Sequence, residues 1–292
     1  MFRRILLLST VLVCVMTLLT APAPSAAAGD LARRYPVIPP LRGGVASQVR
    51  ALVRTGKRLG NRLNVFSKIG DSITAFPYFL VPVGAGGLQL GGYGNLQDTV
   101  NFFMTETART SNSFANHSLG AREAWTTADL LDPAQADGSV CEAGETPLSC
   151  ELRVVKPSVA LIMIGTNDLV VGDVAGFRSR LTQIIRVVKR AGVVPVLSTI
   201  PNRFDPEAVL ANVGAYNDVI VQIANNQAIP LWNYWLALDP LPENGVSTDH
   251  VHPSVPADGN TAVLDDAHLS YGFPMRNLTA LQVLDALRPF LK

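Results

Sequence analysis

Cysteine is scarce in this chain, with three in 292 residues, and histidine occurs only four times. Cys141 and Cys150 have no CxxC partner and no clustered histidine, which argues against a zinc site. No low-complexity tract argues for disorder, and no internal repeat is visible. Gly84, Gly86 and Gly87 make neither a G-x-G-x-x-G nor a P-loop pattern and follow no predicted strand, so no nucleotide site is indicated. Charged residues amount to 16% and the formal net charge is +1, so nothing calls for a nucleic-acid partner.

The first 28 residues read as an export signal. Arg3 and Arg4 precede an apolar run from Ile5 to Leu19, followed by Pro22, Pro24 and small residues that allow cleavage after Ala27 or Ala28. The run is shorter than the roughly 20 residues of a spanning helix, so stable membrane insertion is not expected. Cys14 lies inside it, behind Val13 rather than the small residue expected before a lipid-modified cysteine. Removing Arg3 and Arg4 takes 24 basic residues to 22 against 23 acidic ones, a mature balance of −1. A secreted or extracytoplasmic chain meets oxidising conditions, in which Cys141 and Cys150 are expected to pair.

Residues 29–44, with Pro36, Pro39 and Pro40, suit an exposed leader, and the folded domain is expected over 45–292. Arg50, Arg54, Lys57 and Arg58 share a helical face opposite Val49, Leu52, Val53 and Leu59, as on a solvated helix. Buried strands are expected at Asn64–Ile69, Pro157–Ile164, Val193–Ile200 and Ile229–Trp232; the second carries six apolar residues without a charge. Such runs suit a parallel sheet covered on both faces. Helices are expected at Ala121–Leu131, Val174–Ala191, Pro206–Ala224 and Leu278–Leu291. This alternation predicts a doubly wound α/β sheet, whose ligands sit beyond the carboxyl ends of the strands.

Three clusters of reactive residues fall at those ends. The first strand runs into Gly70, Asp71, Ser72, Ile73 and Thr74, where a serine on a tight turn is placed as a nucleophile; a turn or helix cap is the plainer reading. After the second strand come Gly165, Thr166, Asn167 and Asp168, and an asparagine there can donate to a developing oxyanion or cap a helix. The third is Asp249, His250, Val251, His252 and Pro253, in which an aspartate three residues before a histidine can bend back to orient a general base. The order is Ser, Asp, His, but no G-x-S-x-G occurs, which disfavours the α/β-hydrolases.

In these blocks, Gly70 to Thr74, Gly165 to Asp168 and Asp249 to Pro253, the chain resembles the SGNH/GDSL hydrolases over most of its mature length. The resemblance implies a three-layer α/β/α fold with a flavodoxin-like parallel sheet of about five strands, no metal or organic cofactor, and cleavage of carboxylic esters. It also implies Ser72 as nucleophile, His252 as base and Asp249 as its partner. The oxyanion hole would comprise the Ser72 N–H, the Asn167 side chain and a glycine N–H from the second block. Gly120 is the candidate for that glycine, with Gly91, Gly92 and Gly94 as competitors.

One departure is His250, where the family commonly has a small residue. It opens a rival reading of Asp249, His250 and His252 as metal ligands of a metal-dependent hydrolase, and a second of an exported binding module without turnover. Asn116 and Asn277 begin N-x-[ST] sequons. Trp125, Trp232 and Trp235 are expected in the core. The substrate-discriminating loops are not readable, and an ester of a carbohydrate, lipid or small molecule is the substrate expected.

Overall fold

Four parallel strands in the order β1-β2-β3-β4 form the centre of the molecule, which is a computed structural model described here over residues 28–292. The proposed export signal and Cys14 lie outside the described residues, apart from Ala28. The strands are β1 (Arg62–Gly70), β2 (Pro157–Met163), β3 (Val194–Ser198) and β4 (Leu231–Trp232). Each falls within about two residues of its sequence expectation. β2 and β3 are buried along their whole length, as uncharged strands of a sheet covered on both faces must be.

The main helices are α1 (Gly43–Arg58), α2 (Ser72–Ala75), α3 (Gln97–Met104), α4 (Pro147–Val155), α5 (Asp168–Val171), α6 (Val174–Arg190), α7 (Leu210–Gln227) and α8 (Gly272–Leu287). Side chains alternate between the faces of a strand, so neighbours on β1 identify the two layers. Phe66 meets Phe103 of α3 edge-on with ring centroids 5.2 Å apart, while Ser67 Oγ donates to Glu151 of α4. α3 packs with α8, and α4 with α6, which packs in turn on α7. The result is helix, sheet, helix, in three layers.

The sheet has four strands against an expectation of about five. Gly70 pairs with Met163 of β2 and also makes a parallel bridge to Ala121. Since a backbone residue can have partners on two edges, residues 120–122 occupy the position of a further edge strand reduced to one bridge. This pairing also explains why the helix expected at Ala121–Leu131 is absent. The Arg122 N–H donates to Gly70 O, and Thr126 and Thr127 are tied to Asp129 and Asp168, leaving turns and a short 3₁₀ turn at Asp129–Leu131. The helix expected from Pro206 begins at Leu210, after a 3₁₀ turn, and the last helix begins earlier, at Gly272.

Residues 29–44, expected as an exposed leader, keep several side chains in solvent; Gly43 and Gly44 already belong to α1, and the segment before them is a strap tied to the body through its backbone. The N–H groups of Gly29 and Ala32 donate to the two oxygens of Asp218 on α7. The Asn233 amide donates to Ala32 O at 2.8 Å and Tyr35 O at 2.9 Å, and the Asn233 N–H donates to Val37 O. These backbone groups need partners that the strap, having no sheet neighbour, cannot supply itself. On α1, Val49, Leu52 and Val53 are buried and the basic face is exposed, but Leu59, expected inward, is 47% exposed just past the helix end. Trp125, Trp232 and Trp235 are buried. Asn116 and Asn277 are buried and hydrogen-bonded, Asn277 to Tyr78 O and Thr261 O, which removes both sequons from the surface. Cys141 and Cys150 form a disulfide.

Asn233 is the main tie between strap and body, and Asn233→Ala leaves two strap carbonyls without their donor. The expected cost is about 2–3 kcal/mol, lowering the melting temperature by roughly 5–10 °C for a domain of this size. Thermal unfolding followed by circular dichroism measures it, and an unchanged midpoint would show that the strap carries no stability.

Candidate active site

β1 ends where Gly70 lets the chain turn against β2. A Cβ at Gly70 would lie 2.1 Å from Met163 O, so no other residue fits that close approach. Asp71 then caps α2, its Oδ1 accepting from the Ile73 N–H at 3.1 Å. Ser72 is the first residue of that single turn and is 9% exposed at the carboxyl edge of the sheet.

The loop carrying Asp249 and His252 comes to Ser72 from the far end of the chain. His252 Nε2 lies 2.9 Å from Ser72 Oγ, and His252 Nδ1 lies 2.7 Å from Asp249 Oδ2. Asp249 Oδ1 accepts from Ser247 Oγ and from the Val251 and His252 N–H groups. Burial on its own would raise the Asp249 pKa, but these bonds outweigh it and hold the carboxyl well below the usual carboxylate range. Asp249 is thereby an anion across the working pH range, and the tautomer that satisfies it carries its proton on Nδ1, leaving Nε2 as the acceptor facing Ser72. Phe76 stacks on the imidazole at 4.5 Å, restricting the ring's rotation.

Asn167 follows β2, the strand in register with β1 at Gly70, on a turn that opens with Gly165 at φ +136°. Its Nδ2 donates to Trp125 O at 3.0 Å, and its Oδ1 accepts from Arg203 Nη1 at 3.0 Å. Arg203 went unnoticed in the sequence; its place just beyond the carboxyl end of β3, in Pro201-Asn202-Arg203, was the available signal. Gly120 lies beside the end of β1: Gly120 O accepts from the Gly70 N–H, and the Gly120 N–H donates to Ser118 Oγ at 3.0 Å. Gly91, Gly92 and Gly94 lie instead on a 3₁₀ turn, with Gly91 packed against Leu264.

Asp249, His250 and His252 do not converge as metal ligands. Both ring nitrogens of His252 are engaged by Asp249 and Ser72. His250 instead has its ring edge-on to Phe204 and lines a neighbouring cleft. Among the described residues, the one cluster of three such donors is Cys141, Glu145 and Cys150, and its two sulfurs are bonded to each other. His250 has φ +66°, a left-handed backbone in which glycine carries no penalty and histidine is tolerated better than most. The left-handed backbone accounts for the small residue common in the family, and His250 adopts it with its ring turned to Phe204 rather than to Asp249 and His252.

Two cavities border the site. A cleft of about 580 Å³ is lined by Phe204, Leu210, Val246, Ser247 and His250, next to Asp249 in the chain. A smaller one of about 80 Å³ lies between Thr74 and Ala75 on one side and Ser118 and Ala121 on the other, with Lys68 among its walls. Burial, then the nearby Arg276 cation, pushes the Lys68 amine down to about 7.

Comparison with known proteins places the chain. The model of the GDSL-like lipase/acylhydrolase family matches residues 69–257, well over half of the sequence. The chain belongs to that family. By class it is a carboxylic ester hydrolase of the GDSL type, and the fold is that of the GDSL hydrolases. A search of curated proteins finds no match. Solved structures similar to this GDSL hydrolase include a lipase/acylhydrolase from Enterococcus faecalis, at 20% identity and a TM-score of 0.49, over 76% of this chain and 94% of that one. A second is TesA, at 17% identity and a TM-score of 0.47, over 76% and 99%. A third is a catalytic mutant of Axe2, an acetylxylan esterase from Geobacillus stearothermophilus, at 17% and 0.46, over 75% and 93%.

Asp71 is fully buried beneath the site, and burial, countered in part by the Arg276 cation and the Ile73 N–H, raises its pKa to about 6 from 3.8. Between those values the folded state binds the proton more tightly than the unfolded chain, so the contribution of Asp71 to stability falls as pH rises through that window. Asp71→Asn keeps a capping oxygen and removes the titration. Its stability relative to the wild type should therefore improve between pH 4 and pH 7, measured by denaturant unfolding at each pH, and a constant difference would contradict this.

Proposed function

We propose that the chain is an exported serine esterase that cleaves carboxylic esters of carbohydrates, lipids or small molecules through an acyl-serine intermediate. The continuous hydrogen-bonded path from Asp249 through His252 to Ser72 carries the reading. A serine hydroxyl is a weak nucleophile at its own pKa, and an adjacent imidazole that takes its proton during attack removes that obstacle. Asp249 keeps the imidazole in the reactive tautomer and stabilises the imidazolium that forms.

Attack by Ser72 Oγ on the ester carbonyl places negative charge on the carbonyl oxygen. In this reading the donors that meet it are the Ser72 N–H, one N–H of the Asn167 amide and the Gly120 N–H, which exchanges its ground-state partner Ser118 Oγ for the oxyanion. His252 then gives its proton to the departing alcohol. Water, deprotonated by the same imidazole, attacks the acyl-serine and releases the acid. Export rests on the residues before Gly29, and the Cys141–Cys150 disulfide agrees with an oxidising compartment. Among the described residues no helix is long and apolar enough to cross a membrane.

Ser72→Ala should abolish hydrolysis of p-nitrophenyl acetate and covalent labelling by a fluorophosphonate. Turnover that persists undiminished in that variant would remove the serine mechanism, and folded wild type that neither labels nor turns over would point to a binding module. Asp249→Asn can still accept from the Val251 and His252 N–H groups but favours the wrong imidazole tautomer. A loss of about 10³–10⁴-fold in kcat is expected, with little change in KM. A loss below tenfold would make Asp249 a loop anchor alone.

A further inference from the structure

We propose that Arg203 is a positioning residue that sets the oxyanion-binding amide of Asn167 and couples it to the loop that carries the base. The inference rests on the serine esterase reading and deepens it.

A primary amide has two orientations of similar shape, exchanging its NH2 and carbonyl ends, and only one presents donors to an oxyanion. Two neighbours choose between them here. Arg203 Nη1 donates to Asn167 Oδ1 at 3.0 Å, a position that an NH2 group could not occupy without facing a cation donor to donor. Trp125 O accepts from Asn167 Nδ2 at 3.0 Å, a position that a carbonyl could not occupy. One N–H of the amide is thus fixed, and the other is left for the substrate. The same guanidinium nitrogen donates to Thr166 O at 3.2 Å, holding the backbone on which Asn167 stands. A cation on the carbonyl end also draws electron density from the amide, which strengthens the remaining N–H as a donor to a developing negative charge.

The neighbouring residue ties this arrangement to the base. The Phe204 N–H donates to His250 O at 2.8 Å, between Asp249 and His252 in the chain. Arg203 is itself held by its Nε, which donates to Asp205 O at 2.6 Å, so it is not a freely moving surface side chain. Residues 203 and 204 are therefore one link between the oxyanion donor and the base loop, which otherwise belong to segments far apart in sequence.

A group that acts by orienting a donor used most strongly in the transition state lowers kcat when removed and leaves KM nearly unchanged. Arg203→Met should lower kcat for p-nitrophenyl acetate by about 10–100-fold, the range below the full loss of an oxyanion-hole donor, with KM within twofold. Affinity for a trifluoromethyl ketone that forms a tetrahedral adduct on Ser72 should fall in parallel. Arg203→Lys, which keeps a cation of different shape, should recover a part of the rate. In an Asn167→Ala background the Arg203→Met change should cost less than about threefold, because its effect passes through the missing amide. Undiminished kcat, an equal loss with and without Asn167, or a raised KM at constant kcat would each overturn the proposal, the last by making Arg203 a substrate contact. Ser72 labelling by a fluorophosphonate, run alongside, identifies a failure of the serine mechanism itself, since wild type would then not label. Should Arg203→Met not fold, the Lys variant and its Asn167→Ala double mutant carry the same comparison.

Discussion

A single helical turn cannot hold itself together. Four residues make too few internal hydrogen bonds to offset the ordering of their backbone, yet α2, four residues long, is the turn that carries Ser72. Its order is imported. Asp71 caps its first turn, and the buried guanidinium of Arg276 reaches it from α8, donating from Nη1 to Ile73 O and from Nη2 to Thr74 Oγ1. A buried cation is costly, and burial lowers its pKa to about 10, opposed by Tyr234 and then by the Asp71 carboxylate. Part of that cost is offset by Phe79, whose ring centre lies 3.6 Å from the guanidinium carbon. The position of Ser72 is therefore as firm as a packed charge network between the first strand and the last helix.

The same arrangement explains which parts of the molecule could be read from the chain. β2 and β3 were legible because burial on both faces leaves an uncharged run, and α6 because Phe177, Leu181, Ile184 and Ile185 recur with helical spacing and are all buried. The meeting of Ser72, Asp249 and His252 follows from local patterns that place each at the carboxyl edge of the sheet. The helix expected at Ala121–Leu131 does not form because the conformation there is set by partners distant in sequence, Gly70 and Asp168, and no local periodicity reports such partners. The ties of the strap are hidden for the same reason: its prolines suggest an exposed segment, while the partners of its backbone, Asp218 and Asn233, are distant in sequence.

His250 and Arg203 err in opposite directions. By residue type His250 reads as a third ligand beside Asp249 and His252, but its ring packs against Phe204, away from the other two. Arg203 carries no such signal, since a lone arginine after a strand reads as an ordinary surface residue, and its bonds to Asn167 and Thr166 exist only once two strand ends stand side by side. Residue type and spacing identify groups that react. Groups that aim them are visible only in the assembled site.

The strap has a consequence for the order in which the protein takes shape. Chains emerge amino end first, and the partners that hold Gly29 and Ala32 lie 189 and 201 residues downstream. The segment leaves the ribosome before almost everything else and can dock only after nearly the whole body has followed. Until α7 and β4 are in place, the backbone groups of Gly29, Ala32 and Tyr35 have only water as partner, and docking exchanges that water for Asp218 and Asn233.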